Sequence, residues 1–128
     1  MYVSHRRGAA CEYAAAAYFS SMGWTIFWTP SGATPCDFLI RKDGETKAIQ
    51  VKSAAWRKQG QTRYLRSCIR SKRPYVSSDF DLLVIVGPAG RIWAIPFEKL
   101  PNTATLYLEK IKDGETETYG WEQWLIVI

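Results

Sequence analysis

Residues 35 to 55, PCDFLIRKDGETKAIQVKSAA, hold two strand-like runs on either side of an Asp-Gly pair, and that pair constrains the chain more than any other feature. Asp-Gly is favoured in two-residue type I′ hairpin loops because both central positions there need positive φ. A loop of two or of four residues centred between Asp43 and Gly44 gives one register, in which residues whose numbers sum to 87 face each other. Asp37 is then opposite Gln50. Directly opposed residues share a face with Cβ atoms roughly 4.5 to 5.5 Å apart, and Lys52 joins that face roughly 7 Å along the strand. The expected polar face carries Asp37, Gln50 and Lys52; the expected core face carries Cys36, Phe38, Ile40, Ile49 and Val51.

Polar residues in runs that otherwise read as core need a partner or a task. A carboxylate and an amide carbonyl at that spacing can both reach one hard cation such as Mg²⁺, which takes oxygen ligands and keeps several waters for a phosphate to displace. Such a metal polarises a phosphoryl oxygen and lowers the pKa of bound water. A neighbouring lysine can stabilise charge on the attacked phosphate. The same three residues also fit a half-exposed Asp37–Lys52 salt bridge with Gln50 as a spectator, a contact worth about 0 to 1 kcal/mol. Geometry alone leaves both readings open.

The rest of the chain reads as alternating elements. From Ser4 to about Met22, Cys11, Ala15, Tyr18, Phe19 and Met22 recur at helical spacing among many alanines, with Ser4 placed to cap the start and Gly23 the end. WTIFWTP is a strand closed by the turn Pro30-Ser31-Gly32. Residues 56 to 74 are polar and basic and fit either a short helix or an irregular loop. DFDLLVIVGP is a continuous apolar run, the pattern of a buried strand, and RIWAIPF is a second strand beside it. FEKLP begins a short helical turn, and TLYLEKI and ETYG flank an Asp113-Gly114 turn as a late hairpin. The final GWEQWLIVI has helical spacing of Trp121, Trp124, Leu125 and Ile128, yet its last residues equally suit a strand.

No linker or internal repeat divides the 128 residues, so the expectation is one α/β domain over 1–128. Three cysteines, an odd number without CxxC spacing, read as reduced, mostly buried thiols rather than zinc ligands. No signal peptide and no apolar run of membrane-spanning length is evident, which points to a soluble cytoplasmic protein. Net charge is +5, and between Thr46 and Ser78 the bases Lys47, Lys52, Arg57, Lys58, Arg63, Arg66, Arg70, Lys72 and Arg73 occur without one acid. A merely solvated face usually intersperses acids, so a polyanionic partner, nucleic acid, is the preferred reading over solubility alone. Arg6 and Arg7 at the start of the helix extend the basic set. Trp56 is the one tryptophan expected to touch DNA; Trp24, Trp28, Trp93, Trp121 and Trp124 read as core or dimer contacts. His5, the single histidine, offers at most a phosphate contact, and PSGATP and GPAG lack the Lys-Ser/Thr of a phosphate-binding loop.

Pro35-Cys36-Asp37, followed after twelve residues by Gln50-Val51-Lys52, resembles the PD-(D/E)XK nuclease superfamily. RRGAACEYAAAAYFSSMGW looks like the first helix of its Holliday-junction-resolvase-like branch, in which a helix Glu completes the site. The resemblance covers roughly residues 6 to 100. It implies an α/β fold with a restriction-endonuclease-like αβββ(α)ββ core, a central mixed sheet flanked by helices. It further implies Glu12, Asp37, Gln50 and Lys52 as catalytic residues, with Asp37, Gln50, the Val51 backbone carbonyl and Glu12 toward Mg²⁺, for which Mn²⁺ can substitute. Read from the sequence alone, Glu12 suits a plain surface position nearly as well, although it lacks a basic partner four residues on. Gln at the second-acid position departs from the general pattern and resembles the QxK homing endonucleases of group I introns and their free-standing phage relatives.

The expected function is therefore a homing-type, site-specific, metal-dependent DNA endonuclease. A Holliday junction resolvase and a catalytically inactive DNA-binding module of the same fold are the alternatives, with a basic protein-interaction domain ranked last. The expected partners are double-stranded or branched DNA and, since one site cuts one strand, further copies in a homo-dimer or tetramer. A phage-encoded chain of this kind would act in the host cytoplasm.

Overall fold

The computed structural model describes residues 3–30, 34–70 and 74–127, with side chains from residue 8 onward. Among these residues one helix, α1 (Val3–Ser21), precedes ten strands: β1 (Thr25–Trp28), β2 (Phe38–Lys42), β3 (Glu45–Ser53), β4 (Ala55–Gln59), β5 (Thr62–Cys68), β6 (Leu82–Val86), β7 (Ile92–Pro96), β8 (Thr105–Lys112), β9 (Glu115–Thr118) and β10 (Leu125–Val127). Six of them form a mixed sheet in the order β1-β2-β3-β6-β7-β10, and four form a second sheet in the order β4-β5-β8-β9. Among the described residues only β3 and β6 run parallel, and every other pair is antiparallel.

Helix α1 buries a stripe of small residues, Ala15 and Ala16, together with Phe19. Small side chains let the helix axis approach the sheet closely, and Phe19 then meets Phe38 edge to face at 6.4 Å between centroids. Gly23 ends the helix with φ of 93°. The Gly23 amide donates to the Ser20 carbonyl and that of Trp24 to the Phe19 carbonyl, satisfying acceptors that a helix end otherwise leaves open. Two details of the sequence reading change here. Ser4 lies inside the first turn instead of capping it, and Met22 is about half exposed rather than core.

The central hairpin forms as its turn chemistry requires. Asp43 and Gly44 both take positive φ, 51° and 81°, and the five β2–β3 pairs from Phe38↔Ile49 to Lys42↔Glu45 all follow the expected register. Strand β6 explains why its run is continuously apolar: Val84 faces α1 with Phe38, Ile40, Ile49 and Val51, while Leu83 and Ile85 face the opposite way. A strand covered on both faces cannot alternate with polar residues.

The second cover is a sheet, not a helix. Residues 56 to 68, expected as a short helix or irregular loop, form the β4–β5 hairpin. Gly60, with φ of 61°, occupies the first position of its two-residue loop, where a type II′ turn takes glycine. Leu65 and Ser67 of β5 turn inward and are fully buried, and Leu65, Leu106 and Leu108 pack with Leu83, Ile85, Trp93 and Ile95. The inward Ser67 hydroxyl donates to the Ser53 carbonyl at 2.8 Å, so a polar residue in this core is satisfied. Heavy basic decoration hid the two-residue period.

The late hairpin is present, with Asp113 and Gly114 at positive φ. The ambiguous terminus contains both suggested forms, a 3₁₀ turn at Trp121–Trp124 and then β10. None of the three cysteines forms a disulfide, but Cys68 is exposed and only Cys36 is buried. The turn signal at residues 31 and 32 falls outside the described residues. Among the described residues no helix is long and apolar enough to cross a membrane.

Candidate active site

The candidate site is built where β2 separates from β3. If the ladder continued in register, the next hydrogen-bonded pair after Phe38 and Ile49 would join Cys36 to Val51. Instead the Asp37 amide donates to the Ile49 carbonyl at 2.7 Å, and the Asp37 carboxylate accepts the Val51 amide at 2.7 Å through Oδ2. The carboxylate replaces a backbone carbonyl at the end of the ladder. Two expectations are thereby corrected. Asp37 is not stacked on the Gln50 face but turns toward the plane of the sheet, and Cys36 packs in the core opposite the one holding Phe38 and Ile40.

The consequence is a three-sided arrangement. Ile49 and Val51 face α1, so Gln50 and Lys52 project from the other face of β3, beside Leu83 and Ile85 of β6. Glu12 approaches from the helix, one turn before the buried Ala15 and Ala16, and is half-buried. Asp37 sits between and feels both neighbours. Burial raises the Asp37 carboxyl above the usual carboxylate range, opposed by the Val51 amide and by the charge of Lys52. Burial also raises Glu12, and the charge of Asp37 raises it further. No direct ion pair joins Asp37 to Lys52 among the described residues.

Backbone direction adds a further oxygen. Residues of an antiparallel strand direct their N–H and C=O to the same side, so the Val51 carbonyl points, like its amide, to the side that β2 has left. The Gln50 side chain, half-buried on the adjoining face, makes no hydrogen bond to another described residue. Among those residues no three His, Cys, Asp or Glu side chains gather as a metal cluster. Two carboxylates and the Val51 carbonyl are what this corner offers a hard cation, with the Gln50 amide on the adjoining face of β3.

One neighbour of Lys52 was not anticipated. Its ammonium lies 5.9 Å from the centroid of the Tyr75 ring, which packs edge to face on Phe80, itself against Phe97. The ring forms a wall beside the amine; only the aromatic directly after the basic run and Pro74 hinted at it.

The basic residues divide. Arg57, Lys58 and Arg63 are exposed on the β4–β5 hairpin, Arg66 is half-buried, and Arg70 donates to Asn102 at 2.6 Å. Trp56 packs partly against the second core, with the Arg63 guanidinium 5.2 Å above its ring, so the fold already uses part of its surface. Lys72 and Arg73, and the side chains of His5, Arg6 and Arg7, lie outside the described residues.

A scan against protein families returns no match. Among curated proteins, protein 5.3 of Escherichia phage T7 is 33% identical over 86 residues, which cover 64% of this chain and 71% of that protein. Among solved structures, a bacterial homing endonuclease, I-Ssp6803I, matches with a TM-score of 0.79 at 16% identity, over 97% of this chain and 89% of that one. That likeness is one of fold: a large mixed sheet carrying one helix.

Proposed function

The chain belongs to the family of protein 5.3 of Escherichia phage T7, and we propose that it is a metal-dependent DNA endonuclease of the PD-(D/E)XK type, in the homing-type QxK subgroup. The observation that carries this reading is the Asp37 carboxylate. It is fixed by the Val51 amide at the open end of a hairpin, with Glu12 on one side and the Lys52 ammonium on the other. The fold likeness to a bacterial homing endonuclease supports it. Residues 1–128 act in this reading as one domain, in the host cytoplasm if phage-encoded.

Mg²⁺, or Mn²⁺ in its place, fits the chemistry of this corner. Two carboxylates forced together while partly buried are short of positive charge, and hard oxygen donors with open positions suit an ion that keeps several waters. Asp37 and Glu12 would hold it, aided by the Val51 carbonyl and the Gln50 amide oxygen. When bound, the ion polarises a phosphoryl oxygen and lowers the pKa of bound water.

The chain's own groups do the rest. With Oδ2 occupied by the Val51 amide, Asp37 keeps its second carboxylate oxygen for a ligand. Lys52 presents its charge to the attacked phosphate, where negative charge grows during hydrolysis. Because one chain carries one such site, cutting both strands needs a symmetric dimer or tetramer.

The test is cleavage of linear duplex and of a four-way junction with Mg²⁺, using Asp37→Ala as control. Preferential cutting of duplex supports the homing-type reading, and preferential cutting of the junction supports a resolvase. Equal cutting by the control overturns the nuclease reading altogether. Gln50 favours one alternative: a neutral amide leaves a weaker anionic set, as expected for a DNA-binding module without catalysis. That module would bind DNA in a salt-sensitive, Mg²⁺-indifferent way and cut nothing.

A further inference from the structure

Among the described residues no element packs on the outer face of the second sheet. Cross-strand partners share a face, so Arg57 and Tyr64, Arg66 and Tyr107, and Tyr64 and Lys110 stand together on the side away from Leu65 and Leu106. Tyr64 and Tyr107 lie 5.4 Å apart between ring centroids, and Tyr107 and Tyr119 6.1 Å apart. Three tyrosines thus form a row that begins on β5, crosses β8 and ends just beyond β9.

Charge on this face is uneven. Lys110 is balanced by Glu117 at 3.1 Å, whereas Arg57 and Arg66 have no ion pair among the described residues. Cross-strand aromatic pairing accounts for Tyr64 meeting Tyr107 as a matter of sheet stability. It does not account for unbalanced guanidinium groups beside the row. A polyanion that also presents flat apolar rings satisfies both features, and an unpaired nucleic-acid strand is such a molecule. Its bases can stack on aromatic side chains while cations track its phosphates; in a duplex the base faces are already stacked and only edges are offered in the grooves.

We propose that this face binds a single-stranded stretch of nucleic acid, with bases on Tyr64, Tyr107 and Tyr119 and phosphates on Arg57 and Arg66. Strand β3, which carries Lys52, continues through Ala54 into β4, which carries Arg57, so one stretch of chain supplies both the candidate site and the basic edge of the platform. The proposal rests on reading the chain as a nucleic-acid protein, and not on its catalysis.

The experiment is fluorescence anisotropy at low salt, without divalent cations, using labelled oligo(dT) and a labelled duplex of equal length. Oligo(dT) is expected to bind more tightly than the duplex. Tyr64→Ala and Tyr107→Ala each weaken that binding by roughly tenfold, while Tyr64→Phe and Tyr107→Phe, which keep the ring, leave it within about twofold. Tighter binding of duplex, or unchanged oligo(dT) binding by both alanine variants, overturns the platform. Loss as large in the phenylalanine variants as in the alanine ones also overturns it, because stacking needs no hydroxyl. Cleavage read separately with Mg²⁺ bears on the nuclease reading alone: binding without cutting removes that reading and leaves the platform standing.

Discussion

At Asp37 two demands on one side chain conflict. Its carboxylate completes the hydrogen bonding of β3 through the Val51 amide, yet burial penalises its charge and its ionisation penalises Glu12. Both carboxyls are held above their unfolded values, so the folded state binds their protons more tightly. Their contribution to stability is complete in acid, below the ordinary carboxylate range, and is lost as pH rises through the raised folded values. Asp37→Asn keeps an oxygen for Val51 and removes the charge, and Glu12→Gln removes the repulsion. Both are expected to raise Tm at neutral pH and to lose that advantage in acid; thermal unfolding across pH measures it. Mg²⁺ is expected to raise the Tm of the parent chain at neutral pH by mass action and to have no effect on Asp37→Asn, as differential scanning fluorimetry would report. Lys52→Ala is expected to lower the rate of duplex cleavage by about 10²- to 10³-fold, with gel assays as the readout.

At the scale of elements, glycine serves two different purposes. Gly44 is needed for its φ of 81°, with nothing within 4 Å of where a Cβ would stand. Gly44→Ala is therefore a backbone change and is expected to cost about 1 to 2 kcal/mol. Gly87 has ordinary φ, but a Cβ there would lie 2.8 Å from the Trp93 ring, which is buried and held on several sides. Gly87→Ala must displace that ring or the β6–β7 turn, and a loss of about 1 to 3 kcal/mol is expected. Urea denaturation of the two variants separates the mechanisms, since only Gly87→Ala perturbs Trp93 and its fluorescence. The Asp-Gly turns were legible because their φ requirement is local and falls on two adjacent residues. The β4–β5 hairpin was not, because its inward positions are Trp56, Leu65 and the small polar Ser67, and the four bases from Arg57 to Arg66 dominate the pattern around them.

Across the whole molecule, the six-stranded sheet is covered differently on its two faces, and the second sheet is part of the same packing. Leu65, from the second sheet, is fully buried among Leu83, Ile85 and Ile95 of the first. Leu65→Ala is expected to cost about 2 to 5 kcal/mol while near- and far-ultraviolet circular dichroism still report one coincident transition. Two separated transitions would mean that the sheets unfold independently. Arg91 and Glu109 form a half-buried ion pair between the start of β7 and β8, with Arg91 also over the Trp93 ring, so charge and packing tie the sheets together at the same place.

The sequence by itself determined the local features: the helix ending at Gly23, the hairpin register about Asp43 and Gly44, and the doubly buried character of β6. Each follows from backbone sterics or from a hydrophobic period that acts over a few residues. It also pointed to Glu12, Asp37, Gln50 and Lys52, but as residues on an idealised hairpin. Only the tertiary structure decided that the ladder stops at Phe38 and that the Asp37 carboxylate takes the Val51 amide. It likewise brought Glu12 and Lys52 to that carboxylate from opposite faces of the sheet. Where a strand leaves its partner depends on what both faces must bury, and that balance involves residues far apart in the chain.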